Sequence, residues 1–180
     1  MKKKIAILGS TGSIGKTLLE IVKKDKKNFE IVLLAANKNY KEIFKQAKIF
    51  NVKNLIITNK KSFNKLKKKK ITNIKIYNDF ESFNLIFKKK IDYVMSSISG
   101  IDGLKPTIDI IKYTKKIAIA NKEAIICGWH LIKKNLIKFN TIFIPVDSEH
   151  FSIFYAINNK EITNLEKIYL TASGGPLKDF

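Results

Sequence analysis

The apolar run Ile5-Ala6-Ile7-Leu8 breaks into three glycines spaced by three, Gly9, Gly12 and Gly15, and an amphipathic stretch follows at once over residues 16–24. That succession reads as a strand, a tight turn and the opening of a helix. Such a turn exposes backbone N–H groups at the positive end of the helix dipole, where a pyrophosphate can sit. A Cβ there would block close approach of the phosphates or the packing of helix on strand. Two other readings compete. Gly15-Lys16-Thr17 ends like a nucleoside-triphosphate loop, but that loop needs glycine where Ser10 stands, and Gly9 is one step too far. A purely structural glycine turn is the other. The G-x-x-G-x-x-G spacing is a variant of the G-x-G-x-x-G fingerprint and favours a dinucleotide site.

Beyond the turn, apolar strand-like runs alternate with helix-period stretches. That is the pattern of a mostly parallel, doubly wound α/β sheet with helices on both faces. Strands are expected at residues 4–8, 30–36, 54–58, 93–96, 116–120 and 141–145, with a last one near 167–171 and a short one possible at 75–77. Helices are expected at 14–24, 40–50, 62–68, 80–87, 104–113 and 123–137. In such a sheet ligands bind beyond the carboxyl ends of the strands. After the second strand comes Asn37-Lys38-Asn39, where an NAD site usually carries Asp or Glu for the ribose hydroxyl. Glu30 lies at the opposite edge. Lys38 suits a 2′-phosphate and so favours NADP; one more solvated lysine is the alternative.

Composition narrows the classes. A chain of 180 residues, 45% hydrophobic, allows one full domain and part of a second. No apolar run reaches the roughly 18 residues of a membrane-spanning helix. Met1-Lys2-Lys3-Lys4 resembles the start of a signal peptide, but the apolar run behind it is too short for export, so a cytosolic protein is expected. The single cysteine, Cys127, fits a reducing compartment and is expected to be a small buried apolar residue. A net charge of +20 invites a nucleic-acid reading. Yet all 35 basic residues are lysine, and base-edge recognition favours arginine's planar fork. Abundant Lys, Ile, Asn and Phe together look like codon bias, and the lysine runs at 67–70 and 88–90 then form solvated surface.

Two later segments carry chemistry. In Ala120-Asn121-Lys122-Glu123 a buried strand runs straight into a helix start; capping accounts for Asn121 and Glu123 and leaves Lys122 over, free for a substrate hydroxyl or phosphate. In Pro145-Val146-Asp147-Ser148-Glu149-His150 two carboxylates two residues apart share one side of an extended segment, and a hard Mg²⁺ or Mn²⁺ would relieve their repulsion. A helix N-terminus rich in Asp, Ser and Glu is the competing reading. His150 is expected to pack or hydrogen-bond rather than ligate. Thr171-Ala172-Ser173-Gly174-Gly175-Pro176 is a turn that could grip a phosphate through Ser173.

Taken in order, Gly9-Ser10-Thr11-Gly12-Ser13-Ile14-Gly15, Ala120-Asn121-Lys122-Glu123, Pro145-Val146-Asp147-Ser148-Glu149-His150 and Ser173-Gly174-Gly175-Pro176 resemble the 1-deoxy-D-xylulose 5-phosphate reductoisomerase family over the whole chain. The resemblance implies a Rossmann-like NADPH-binding domain, residues 1–145, then the start of an α+β catalytic domain, residues 146–180. It implies homodimers of the full-length form acting on a sugar phosphate, with neither a membrane nor a specific nucleic acid as partner. The implied reaction rearranges and reduces 1-deoxy-D-xylulose 5-phosphate to 2-C-methyl-D-erythritol 4-phosphate in non-mevalonate isoprenoid synthesis, with NADPH and Mg²⁺ or Mn²⁺. By the same resemblance Gly9, Thr11, Gly12, Ser13 and Ile14 bind the cofactor, with Asn37, Lys38 and Asn39 around its 2′-phosphate and Asn121 and Glu123 touching it too. Lys122 and Glu149 would be catalytic; Lys122, Ser148, Glu149 and Ser173 would contact substrate, and Asp147 and Glu149 would hold the metal. Asn37 departs from the glycine of many members. Members run to about twice this length, so the resemblance implies a truncated chain, poorly active or inactive alone. Trp129, on an expected helix, is not the tryptophan of the family's mobile lid.

Overall fold

The computed structural model describes residues 1–69, 71–157 and 165–169. One seven-stranded sheet, parallel throughout, runs in the order β4-β3-β2-β1-β5-β6-β7. Its strands are β1 (Lys3–Leu8), β2 (Phe29–Ala36), β3 (Asn54–Ile57), β4 (Lys75–Tyr77), β5 (Ile91–Ser96), β6 (Thr114–Ile119) and β7 (Ile142–Pro145). The helices are α1 (Ser13–Lys24), α2 (Tyr40–Phe50), α3 (Lys60–Lys67), α4 (Phe83–Ile86), α5 (Leu104–Ile111), α6 (Lys122–Lys138) and α7 (Ser148–Ile157). The chain first steps outward from β1 to β4, then returns and steps the other way to β7. Right-handed crossovers therefore put α1 to α3 on one face and α4 to α6 on the other.

The central strands read as unbroken apolar runs because both their faces are covered. Ile5 and Ile7 pack with Leu19, Val22 and Ile43 on the α1–α2 side. Ala6 and Leu8 pack with Phe83, Ile110 and Ile132 on the other. In β2 this alternation slips by one: Ile5 pairs with Ile31 but Ala6 with Leu33, so Val32 is an extra residue. The bulge lets Ile31 and Leu34 share one core while Leu33 and Ala35 fill the other.

The doubly wound architecture and the six main expected strands are present. Three expectations change, and one open choice is decided. The helix expected over 80–87 shrinks to α4, because Asp79 and Ser82 close a side-chain turn before it: the Ser82 amide donates to Asp79 Oδ1 at 3.2 Å and its hydroxyl to the Asp79 carbonyl at 2.6 Å. Residues 165–169 carry neither helix nor strand, with no neighbouring strand to pair with among the described residues; the rest of that expected strand lies outside them. α7 is the helix start that competes with the extended reading of Asp147-Ser148-Glu149. Cys127 is exposed, not buried. α6 buries Ala124, Gly128, Ile132 and Leu136 at a spacing of four, and position 127 falls off that stripe.

Candidate functional site: a cleft at the carboxyl edge of the sheet

Strand order reverses between β1 and β5, so the loops leaving them diverge and open a crevice. The cleft has a volume of about 800 Å³ and is walled by Gly9, Thr11 and Gly12 on one side and by Ser97, Ile98 and Lys105 on the other. Ala36 and Asn37 extend it along β2.

Each glycine of the turn has its own physical basis. Gly9 sits at φ +85°, a left-handed conformation, and a Cβ there would lie 2.6 Å from the Ser97 carbonyl oxygen. At position 15 a Cβ would lie 2.5 Å from the Gly9 oxygen, so α1 packs directly on the turn. Gly12 differs: its φ is −77°, and the nearest atom to an added Cβ is 3.4 Å away. Gly12 is also the N-cap of α1, with no side-chain cap hydrogen bond and no acidic residue in the helix's first turn. Among the described residues no side-chain acceptor competes for the dipole and amides at this helix start, whose N-cap lines the cleft. Ser13 and Ile14 are exposed at the same end, and Lys16 is exposed one turn on.

Asn37, Lys38 and Asn39 are exposed where β2 gives way to α2. Asn39 caps α2 by accepting the Glu42 amide at 3.2 Å, and the Lys38 carbonyl accepts from the Ser62 hydroxyl at 2.8 Å. That backbone is fixed, while among the described residues no hydrogen bond or ion pair engages the exposed Lys38 ammonium. Glu30 sits at the opposite, amino edge of the sheet, paired in register with Lys4.

Asn121 is buried and fully committed. Its amide donates to the carbonyls of Ile98 at 2.5 Å and Gly100 at 2.6 Å, and its Oδ1 accepts the Ala124 amide at 2.8 Å. It caps α6 and pins the far wall of the cleft, so its side chain has no donor left for a ligand. Lys122 and Glu123 are exposed in the first turn of α6.

Asp147 follows β7, and its carboxylate is 8% exposed. It accepts the His150 backbone amide at 3.0 Å and faces the His150 Nδ1 at 2.6 Å, with the Lys122 ammonium 3.7 Å away. The His150 amide bond, then the His150 ring and the Lys122 charge, hold its carboxyl below the usual carboxylate range. His150 is thus a hydrogen-bonding histidine, as expected. Of the two readings of this segment, the helix start forms and the extended carboxylate pair does not: Asp147 caps α7, Ser148 and Glu149 lie in its first turn, and the chain there follows helical rather than alternating periodicity. The side chains of Ser148 and Glu149, and all of Ser173, lie outside the described residues. Among the described residues no three His, Cys, Asp or Glu side chains gather to hold a metal.

The sheet edge thus carries the glycine turn, the 37–39 loop, the starts of α6 and α7 and, unforeseen from sequence, the loop after β5. Ser97 belongs to that loop; its amide and hydroxyl both donate to the Leu8 carbonyl, at 2.9 and 2.8 Å. Only the rule that the strand beside β1 delivers its loop to the crevice could have flagged it.

Fold and cleft together define a Rossmann-like domain with a glycine turn at its switch point. Comparison with known proteins narrows that class. The family model for 1-deoxy-D-xylulose 5-phosphate reductoisomerase matches residues 5–128, and that for the C-terminal domain of the same enzyme matches residues 143–180. This chain belongs to the 1-deoxy-D-xylulose 5-phosphate reductoisomerase family. It is 61% identical to the reductoisomerase of Pelagibacter ubique (strain HTCC1062) over 182 residues, which cover 98% of this chain and 46% of that protein. Among solved structures it is similar to the reductoisomerase of Zymomonas mobilis in complex with NADPH, with a TM-score of 0.89, 29% identity, and coverage of 99% of this chain and 48% of that one. A reductoisomerase in complex with NADPH, fosmidomycin and magnesium matches with a TM-score of 0.75 and 27% identity, over 82% of this chain and 37% of that one. The chain spans about half the length of the first two of these proteins and little more than a third of the last.

Proposed function

We propose that this chain carries the NADPH-binding domain, residues 1–145, and the beginning of the metal- and substrate-binding domain, residues 146–180, of an enzyme converting 1-deoxy-D-xylulose 5-phosphate to 2-C-methyl-D-erythritol 4-phosphate. The observation that carries the reading is Gly12. Packing does not demand glycine there, yet it lines the cleft at a helix start with no cap side chain, which is where a pyrophosphate needs close approach. Gly9, Thr11, Ser13 and Ile14 complete the cradle. Asn37, Lys38 and Asn39 receive the 2′-phosphate, the ammonium supplying the charge. Asn121 acts on the cofactor by holding the loop at Ile98 and Gly100, and Glu123 completes that end.

Lys122, reaching toward Asp147, serves substrate binding and catalysis together with Glu149; Ser148 and Ser173 contact the sugar phosphate. Asp147 offers a hard oxygen donor held anionic, which suits Mg²⁺ or Mn²⁺, with Glu149 as its partner ligand. When bound, NADPH supplies the hydride and the metal ion the Lewis acidity at the substrate's oxygens. The protein's own part is to orient both groups along one sheet edge. No helix among the described residues is long and apolar enough to cross a membrane; a cytosolic homodimer is the form proposed.

Titration with NADPH, NADH and ATP tests the reading. NADPH binds more tightly than NADH, and Lys38→Glu weakens NADPH about tenfold while leaving NADH unchanged, because only the former places a phosphate against that side chain. Equal affinity for both dinucleotides, or preference for ATP, overturns it. Oxidation of NADPH that depends on 1-deoxy-D-xylulose 5-phosphate and on added Mg²⁺ or Mn²⁺ tests the reaction itself.

A further inference from the structure

Beneath the glycine turn lies a buried polar contact that no motif announces. Gln46, on α2 and 4% exposed, donates from Nε2 to the carbonyl oxygen of Ser10 at 3.0 Å, across 36 residues of sequence. Ser10 itself is fully buried, and its amide donates to the Ala35 carbonyl at 2.9 Å. Ser10 Oγ and Gln46 Oε1 are also the buried side-chain polar atoms left without a partner among the described residues. Leaving such atoms unpaired costs stability, so packing alone gives no reason to place glutamine here.

Peptide geometry supplies one. In a planar trans peptide the C=O of one residue and the N–H of the next point in opposite directions. Drawing the Ser10 carbonyl inward to Gln46 therefore turns the Thr11 N–H outward. Thr11 lines the cleft, and no hydrogen bond among the described residues takes up its amide. The same helix α2 starts at the 37–39 loop, capped by Asn39. One helix thus ties the turn to the loop that carries Lys38.

We propose that Gln46 is a positioning residue: it aims the Thr11 amide at a phosphate of the bound dinucleotide and fixes the spacing between the turn and the 37–39 loop. This rests on the dinucleotide reading above, and the experiment separates the two. NADPH and adenosine 2′-phosphate are titrated against the wild-type chain and Gln46→Met, a side chain of similar length with no donor. Gln46→Met weakens NADPH about fivefold, the order of one lost hydrogen bond. Adenosine 2′-phosphate, which does not reach the turn, binds both proteins alike. In parallel, NMR of the wild type shows the Thr11 amide and the Gln46 side-chain amide shifting on addition of NADPH and not on addition of adenosine 2′-phosphate; this measurement stands even if the variant fails to fold. Unchanged NADPH affinity in a folded Gln46→Met, a lowered melting temperature alone, or unmoved Thr11 and Gln46 resonances in NADPH-bound wild type overturn the proposal and leave the dinucleotide reading intact. A wild type that binds no NADPH overturns both.

Discussion

A Cβ at position 15 would meet the backbone oxygen of Gly9 at 2.5 Å, an atom that cannot swing aside as a flexible side chain can. Gly15→Ala must push α1 off the turn, and overpacking of this kind costs about 1–3 kcal/mol. Denaturant unfolding of the variant is expected to show that loss together with a collapse of NADPH affinity; unchanged stability would mean that α1 does not rest on the turn. A charge far from the cleft gives a second expectation. Asp92 accepts from the Lys115 ammonium at 2.8 Å and from the Lys4 amide at 2.9 Å, and these bonds hold its carboxyl below the usual range. A folded-state value below the unfolded one stabilises at pH above the unfolded value and loses that contribution as pH falls through the folded one. Asp92→Asn is therefore less stable than wild type by about 1 kcal/mol at neutral pH. The difference shrinks as pH drops below about 4, where the unfolded carboxyl takes up its proton. Acid unfolding curves of the two proteins check the sign.

α6 begins at a residue that works in two directions. Asn121 caps the helix and ties down the loop at Ile98 and Gly100. Asn121→Asp keeps the cap and replaces two donors with a charge facing two carbonyls, so a loss of about 2 kcal/mol is expected. Weakened NADPH binding accompanies it; a variant with wild-type affinity would show that the loop does not shape the cleft. Helix starts were only partly legible in the sequence. Asn39 and Asn121 stand before amphipathic stretches and do cap them. Asp147-Ser148-Glu149 fits both an extended carboxylate pair and an acidic helix start on spacing alone, and the structure takes the second, a cap and a first turn. Cys127 was misread because its type suggested burial, whereas the stripe of α6 decides it. The glycine turn and the strands β1 to β7 were legible since each depends on neighbours in sequence. Gln46 and Ser97 were not, since what they do depends on partners 36 and 89 residues away.

Across the molecule, the crossovers decide where everything meets. With β1 central and the chain winding away from it both ways, the turn after β1, the loop after β2, the loop after β5 and the starts of α6 and α7 share one edge. The lysine excess follows a different logic. Lys67, Lys68 and Lys69 and Lys88, Lys89 and Lys90 are exposed, and Lys48 and Lys67 lie over Phe44 and Phe63 at 4.5 and 5.3 Å, covering aromatic faces while their charges stay in water. What matters most is whether the edge cleft receives a dinucleotide through the turn at Gly12. NADPH fluorescence titration of wild type beside Gly12→Ala, with melting temperatures measured on both, settles it. The expected outcome is equal melting temperatures and an affinity for NADPH at least tenfold weaker in the variant. Equal affinities at equal melting temperature would place the phosphates elsewhere and undo the assignment of the cleft.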